Sequence, residues 1–194
     1  MKKIQFISIV SAIFIMGGCG FKGTAIEFAQ PSSIYMGDKA FTRAFLQGVS
    51  DERANKNSLG FVKSKDGEIL APITTSQNMS QWFSIAFEKE MRAAGFAPVS
   101  KEEDSDASYL FVIKKLNTEY VKNELTGKNL RLELDIDVKI KNKSGVITKS
   151  FKYNEQKWSK PLFEGDALRG EIEPFIRESV ASTVRGLVAY SKAK

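Results

Sequence analysis

The residues from 130 to 140 alternate without a break between apolar and polar side chains. Leu130, Leu132, Leu134, Ile136, Val138 and Ile140 fall on one side, and Arg131, Glu133, Asp135, Asp137 and Lys139 on the other. Successive side chains of a strand point to opposite faces, so this run is satisfied in a sheet with one dry and one wet face. Asn142-Lys143-Ser144-Gly145 follows as a hairpin turn, with the polar and glycine residues that tight turns favour. Residues 146–158 form the return strand, with Ile147, Phe151 and Tyr153 on one face.

The dry face needs a cover, and two segments have helical period. Over 79–94, Phe83, Ala86, Phe87, Met91 and Ala94 recur at spacings of three and four, and Trp82 and Ile85 widen the stripe. Glu88, Lys89, Glu90 and Arg92 supply the wet face. Asn78 and Ser80 are both candidate N-caps. Gly95 suits the left-handed position that ends a helix, Phe96 can fold back on the last turn, and Pro98 blocks continuation. The second helix is expected over 172–193, with Ile172, Ile176, Val180, Val184, Leu187 and Val188 as its stripe and Pro174 in its first turn.

Further strands complete the sheet. Tyr109-Leu110-Phe111-Val112-Ile113 is continuously apolar, as a central strand buried on both faces would be. Residues 40–49 read the same way, and 58–62 and 24–29 read as short strands, the latter at an edge. Lys65-Asp66-Gly67 marks a turn, and Pro72 punctuates the segment after it. The order strands, helix, strands, helix predicts an α+β fold. It is a two-layer domain, a mainly antiparallel sheet with two amphipathic helices packed on one face.

The chain has 194 residues, 42% hydrophobic and 27% charged. That composition and length suit one globular domain. There is no histidine and a single cysteine. The first fact excludes a Ser-His-Asp triad, a Cys-His dyad and any His-ligated metal; the second excludes an internal disulfide and any multi-cysteine metal site. No Gly-x-Ser-x-Gly elbow occurs. No enzymatic activity, metal or cofactor is expected, and no catalytic residue is assigned.

The N-terminus directs the chain to the envelope. Met1-Lys2-Lys3 precedes a 13-residue apolar run over 4–16, broken only by Gln5 and two serines. This is the layout of a secretory signal peptide, too short for a membrane span of roughly 20 residues. Ile15-Met16-Gly17-Gly18-Cys19 resembles a bacterial lipobox, with Met16 where leucine is usual. The resemblance implies a signal peptide over 1–18, acylation of Cys19, and an anchor in the membrane through it. Gly20, rather than aspartate, after the cysteine implies the outer membrane, with the chain facing the periplasm. Residues 19–38 are then expected to be the lipidated N-terminus and a tether, and 39–194 a single α+β domain. The net charge of +6 falls to +4 once Lys2 and Lys3 are removed. That is no nucleic-acid footprint, and no nucleic-acid partner is expected.

Several of these features together resemble a known family. They are the lipobox, Gly48-Val49-Ser50-Asp51-Glu52-Arg53 before Leu59-Gly60, the helix running from Trp82 through Ala93-Ala94-Gly95-Phe96, the long alternating strand with its hairpin, and the C-terminal amphipathic helix. The pattern is similar to the YajG-type family of uncharacterised bacterial lipoproteins. The resemblance implies a lipid-anchored α+β protein and supplies no catalytic residues. Asp51 and Arg53 match its most recognisable motif. They are either part of an interaction surface or a salt bridge that orders the exit from a strand.

Two other acidic clusters invite a chemical reading. Lys101-Glu102-Glu103-Asp104-Ser105-Asp106 offers oxygen ligands without the spacing of an EF-hand, and is expected to be a solvated loop. Glu133, Asp135 and Asp137 share one strand face, a row that invites comparison with the paired carboxylates of glycosidases. An exposed face paired with lysines across the hairpin is the expectation. The chain is therefore expected to be a non-enzymatic accessory or assembly subunit with an envelope protein as partner. A lipid- or glycan-binding module, its pocket lined by some of the 14 phenylalanines, is the alternative.

Overall fold

The computed structural model describes residues 23–122, 128–160 and 165–192. In chain order the elements are β1 (Thr24–Ala25), β2 (Arg43–Asp51), β3 (Ser58–Lys63), β4 (Ile69–Thr74), α1 (Met79–Ala93), β5 (Ala97–Pro98), β6 (Ala107–Val121), β7 (Leu130–Asn142), β8 (Gly145–Lys157) and α2 (Gly165–Lys192). The eight strands form one sheet. Antiparallel ladders join β6 to β7, β7 to β8 and β3 to β4, and parallel ladders join the rest. The architecture is the expected α+β one, a mainly antiparallel sheet with two helices.

β6 is the spine. One edge pairs with β7 from Ala107↔Asn142 to Tyr120↔Leu130. The other edge is shared by two strands lying end to end, both parallel to it. β2 takes residues 107–113, and β3 takes residues 118–121. The chain thus runs along β6, leaves that ladder after Asp51, and rejoins it at Gly60.

The alternating strand behaves as its sequence requires. Leu130, Leu132, Leu134, Ile136, Val138 and Ile140 are each at most 1% exposed. Each such buried side chain contributes about 1.5–3 kcal/mol relative to exposure. The α1 stripe meets the sheet through Phe87, whose ring stacks on Phe111 at 3.8 Å between centroids. In α2, Ile172, Ile176, Val180, Val184, Leu187 and Val188 are buried.

Asn78, rather than Ser80, caps α1, its side chain accepting from the Gln81 N–H at 3.1 Å. At the other end Gly95 has φ +85. The N–H groups of Gly95 and Phe96 return to the carbonyls of Arg92 and Met91, which satisfies two of the helix's last acceptors.

Four expectations are corrected. The segment expected as a buried strand over 40–49 pairs only from Arg43, and Phe41 is 87% exposed with φ +52. The chain is still turning there, past the end of α1, where the Ala40 N–H bonds the Ala94 carbonyl. The last helix begins at Gly165, one and a half turns or more before the expected start, because Leu168 extends the buried stripe. Pro174 consequently lies inside α2. The carbonyl that loses its donor is that of Gly170, an exposed residue.

The third correction concerns the tether expected over 19–38, within which 24–29 read as a short edge strand. That strand is present as β1, which pairs with β4; Ile26 and Phe28 are 1% and 4% exposed, so among the described residues the packing begins at Thr24. The fourth is Glu90, assigned to the wet face of its helix but only 3% exposed.

Gly60 packs directly against the β6 backbone. Its φ is +139, and a Cβ there would lie 1.9 Å from the Thr118 carbonyl oxygen. Gly60→Ala is expected to destabilise the fold by about 3 kcal/mol or more, through backbone strain and loss of the β3–β6 ladder. Gly67 also has positive φ, +86, but faces open space. Gly67→Ala is expected to cost only about 1 kcal/mol. Urea unfolding of the two variants side by side measures the difference.

Candidate functional site

Asp51 and Arg53 lie where β2 leaves the spine. Their side chains are 2% and 5% exposed, with Arg53 Nη2 2.7 Å from Asp51 Oδ2. Arg53 Nε donates to Asp51 Oδ1 at 2.9 Å, so the contact is a two-point fork. The remaining guanidinium donors reach the carbonyls of Ser58 and Lys56, both at 2.7 Å. The Arg53 backbone N–H also donates to Asp51 Oδ1. This pair presents no exposed interaction surface. It closes the loop that lets the chain step off β6 and rejoin it, with the Glu52 N–H on the Ile113 carbonyl as the last rung. The planar guanidinium suits the place because one group serves a carboxylate and two carbonyls at fixed angles.

The row on the wet face of β7 is engaged rather than free. Glu133 is 8% exposed at its side chain, between Lys115 Nζ at 2.7 Å and Arg131 Nη2 at 2.6 Å. Asp137 accepts from Ser150 Oγ at 2.6 Å, and Asp135 stands opposite Lys152 in the β7–β8 register. Burial pushes the Glu133 carboxyl up. Hydrogen bonds from Lys115 and Asn117 and the charges of Lys115 and Arg131 outweigh it and hold the group below its ordinary 4.5. A carboxyl held in its charged form is a poor proton donor at neutral pH, unlike the raised acid that glycoside hydrolysis needs.

The acidic loop includes a single 3-10 turn over Glu102–Asp104. Its carboxylates are drawn to cations of the chain, Asp106 to Arg43 at 2.8 Å and Glu102 to Lys141 at 3.0 Å. Among the described residues no group of three or more His, Cys, Asp or Glu side chains is placed to hold a metal.

One arrangement escaped the sequence. Residues 28–36 form an extended strap across α1 and α2. Gln77 grips both the N–H and the carbonyl of Phe28, at 2.6 and 2.9 Å. Trp82 Nε1 donates to the Ala29 carbonyl at 2.9 Å, and Lys89 Nζ to that of Pro31 at 2.7 Å. Glu90 accepts from the Ile34 N–H at 2.7 Å and from Ser33 Oγ at 3.0 Å. Arg177, paired with Glu173 at 2.6 Å, donates to the carbonyls of Gln30 and Ser32. These partners are 49 to 147 residues apart in the chain, so no local pattern announces them. The one available signal is Glu90, beside Met91 and three residues after Phe87 on a helix whose apolar stripe passes close by. Cys19 lies outside the described residues.

Breaking the buried pair leaves one charge stranded. Arg53→Ala is expected to cost about 3–5 kcal/mol, and Arg53→Lys to recover less than half of that, because an ammonium cannot fork the carboxylate and reach both carbonyls. Equilibrium urea unfolding reads both. For Glu133 the sign is fixed by the lowered folded value. Its contribution is fully present above 4.5 and is lost as pH falls through the folded value below that. Glu133→Gln is expected to flatten the acid limb of the stability profile below about pH 4.5, measured by thermal unfolding from pH 7 to 3.

Comparison with known proteins places these features in a family. A family model described as "Uncharacterized lipoprotein" matches residues 45–182, well over half of the chain. No curated protein matches. The crystal structure of protein XCC0632 from Xanthomonas campestris, a DUF330 protein, is similar over 86% of this chain and 92% of that one, with TM-score 0.53 and 11% identity. A minor lipoprotein from Acinetobacter baumannii is similar over 78% of this chain and 94% of that one, with TM-score 0.41 and 7% identity. At such identities the likeness to XCC0632 is one of fold. No helix among the described residues is long and apolar enough to cross a membrane. The chain belongs to a family of uncharacterised lipoproteins of the cell envelope, consistent with the YajG-type resemblance of its sequence.

Proposed function

We propose that this chain is a non-enzymatic accessory subunit of an envelope assembly. It is anchored in the outer membrane through acylated Cys19, faces the periplasm and docks on a protein partner. The observation that carries the reading is membership of a lipoprotein family in a chain whose single cysteine stands at a lipobox-like position. Two further features support it. Glu133 and Glu102, one from each acidic cluster, are held by neighbouring cations. The large aromatic side chains Phe83, Phe87 and Phe111 are fully buried in the core, where they stack in sequence.

The anchor holds the body close. The packed chain starts at Thr24, and five residues from Cys19 to Gly23 reach at most roughly 18 Å when extended. The partner is therefore met near the membrane surface.

Cys19→Ser is expected to move the chain from the membrane fraction to the soluble one without changing its melting temperature. Crosslinking of the tagged full chain in envelopes, followed by mass spectrometry of co-eluting proteins and lipids, is expected to return a reproducible protein partner. A chain that purifies alone overturns the accessory reading. A stoichiometric lipid without a protein replaces it with a lipid-binding module.

A further inference from the structure

The first described residues enter the body at one end of the sheet. β1 runs parallel to β4, so Gly23 lies toward the start of β4, beside Pro72. The same end holds the β3–β4 turn and the close of β6 and β8. Lys63 stands opposite Ile69 and Val121, and Leu130 opposite Tyr120 and Lys157. The start of α2 is here too. Gly165 packs on Thr24 and Ala25. Farther along that helix, Glu171 meets Lys157 and the Ser159 hydroxyl, each at 2.9 Å. The residues before Gly23 therefore leave the body beside the ends of β4, β8 and α2.

Trp158 is the large aromatic side chain exposed at this end, and its backbone is fixed. Asn129, a buried residue, donates through Nδ2 to the Ser159 carbonyl and accepts the Ser159 N–H, both at 2.7 Å. Ser159 is itself buried. A chain pinned this firmly nonetheless holds the Trp158 side chain out, 54% exposed. An indole has an apolar body and a polar N–H, and it favours the boundary between lipid headgroups and acyl chains. Lys128 and Lys160 lie next along the two segments that Asn129 and Ser159 join, and both are exposed. Exposed lysines suit an anionic lipid surface. On the other side of the chain entry, Ile69 of β4 is 56% exposed. Lys157 and Arg169 are matched by carboxylates, and Asp66 and Glu68 offset Lys65 in the β3–β4 turn. The charge this end offers is thus that of Lys128 and Lys160, beside Trp158.

We propose that this end of the domain is a membrane-facing surface: Trp158 and Ile69 enter the interface of an anionic bilayer, and Lys128 and Lys160 meet its headgroup phosphates. The proposal rests on the reading that Cys19 is acylated, and it adds the orientation of the body. The occupant follows from where the chain leads. Five residues from Cys19 to Gly23 reach at most roughly 18 Å, so a bilayer holding the acyl chains lies within reach of the end from which they emerge. A lipid anchor alone leaves a domain free to turn. Contacts on both sides of the chain entry hold this end down and turn the opposite end, with the β7–β8 hairpin turn after Asn142, away from the bilayer.

The test uses the full chain purified from envelopes, its intact mass reporting whether Cys19 is acylated. The chain is placed in vesicles of equal parts phosphatidylcholine and phosphatidylglycerol with acyl chains brominated near the headgroup. Tryptophan emission is compared with that in unbrominated vesicles. The chain has two tryptophans, and Trp82 is buried in the core. Bromine is expected to quench the wild-type emission and to leave that of Trp158→Phe, which keeps only Trp82, unchanged. Lys128→Gln combined with Lys160→Gln is expected to at least halve the quenching, as are vesicles of phosphatidylcholine alone. These substitutions alter exposed side chains, and the melting temperature is expected to stay at the wild-type value. An acylated chain whose Trp158 is not quenched overturns the proposal and leaves the anchor reading standing. Quenching equal with and without phosphatidylglycerol also overturns it. A chain without acyl mass fails the anchor reading instead. Quenching of that chain when added to the vesicles then upholds the surface by itself, and its absence overturns both. Photo-reactive Trp158→benzoylphenylalanine, irradiated in envelopes, is expected to capture lipid; capture of a protein overturns the proposal, because this end is then a protein-docking site.

Discussion

The Asp51–Arg53 ion pair governs how this sheet is assembled. Two strands share one edge of β6, and they can do so only if the chain between them is drawn out of the ladder and closed off. After the Glu52 N–H, which still bonds the Ile113 carbonyl, the chain leaves the edge through an exposed loop in which Arg53 alone is buried. Arg53 meets the carbonyls of Lys56 and Ser58 while neutralising Asp51. A charge pair buried this deeply gains little net stability over an apolar substitute. What it provides is direction, since a guanidinium fork fixes where the loop closes and hence where β3 resumes on β6. With β3 in place, Gly60 can sit against Thr118, β4 can pair with β3, and β1 has an edge to join.

The same economy explains the strap. A stretch with few large side chains cannot hold itself to a surface by apolar burial. Residues 29–34 include two serines, a glutamine and a proline, and the helices compensate by offering charged and amide groups to the backbone. Charge-assisted hydrogen bonds are the stronger class, and Glu90, Lys89 and Arg177 supply them. The N-terminal part of the strap is bound differently, by the burial of Ile26 and Phe28 and by the Phe28–Trp82 ring contact at 5.7 Å. One short segment thus has a half held by packing and a half held by polar contacts.

What the sequence disclosed follows the range of each interaction. The alternation over 130–140 is local, and it predicted the core face of β7 residue by residue. The helix over 79–94 was equally plain, because its stripe, cap and terminating glycine are all neighbours in the chain. Pro174 misled, since proline at a first turn is the usual case and only Leu168, one turn upstream and buried, shows that the helix had already begun. The polar strap contacts were beyond reach. Nothing near Gln30 points to Arg177, and the serines and proline of 31–33 look the same in a free tether as in a bound strap. Asp51 and Arg53 were legible as a pair but not as a buried one, because a polar run from Ser50 to Asn57 gives no hint that two of its members turn inward.

Among the described residues the packing begins at Thr24, and this bears on the proposed anchor. A tether of some twenty residues would let the body roam several tens of ångströms, at about 3.3 Å per extended residue. On the proposed reading, in which Cys19 carries the lipid, the residues from it to Gly23 reach at most roughly 18 Å. Because Ile26 and Phe28 are buried in the body, that reading holds the domain close to its anchor, and the polar contacts of residues 29–34 add to the hold without lengthening the reach.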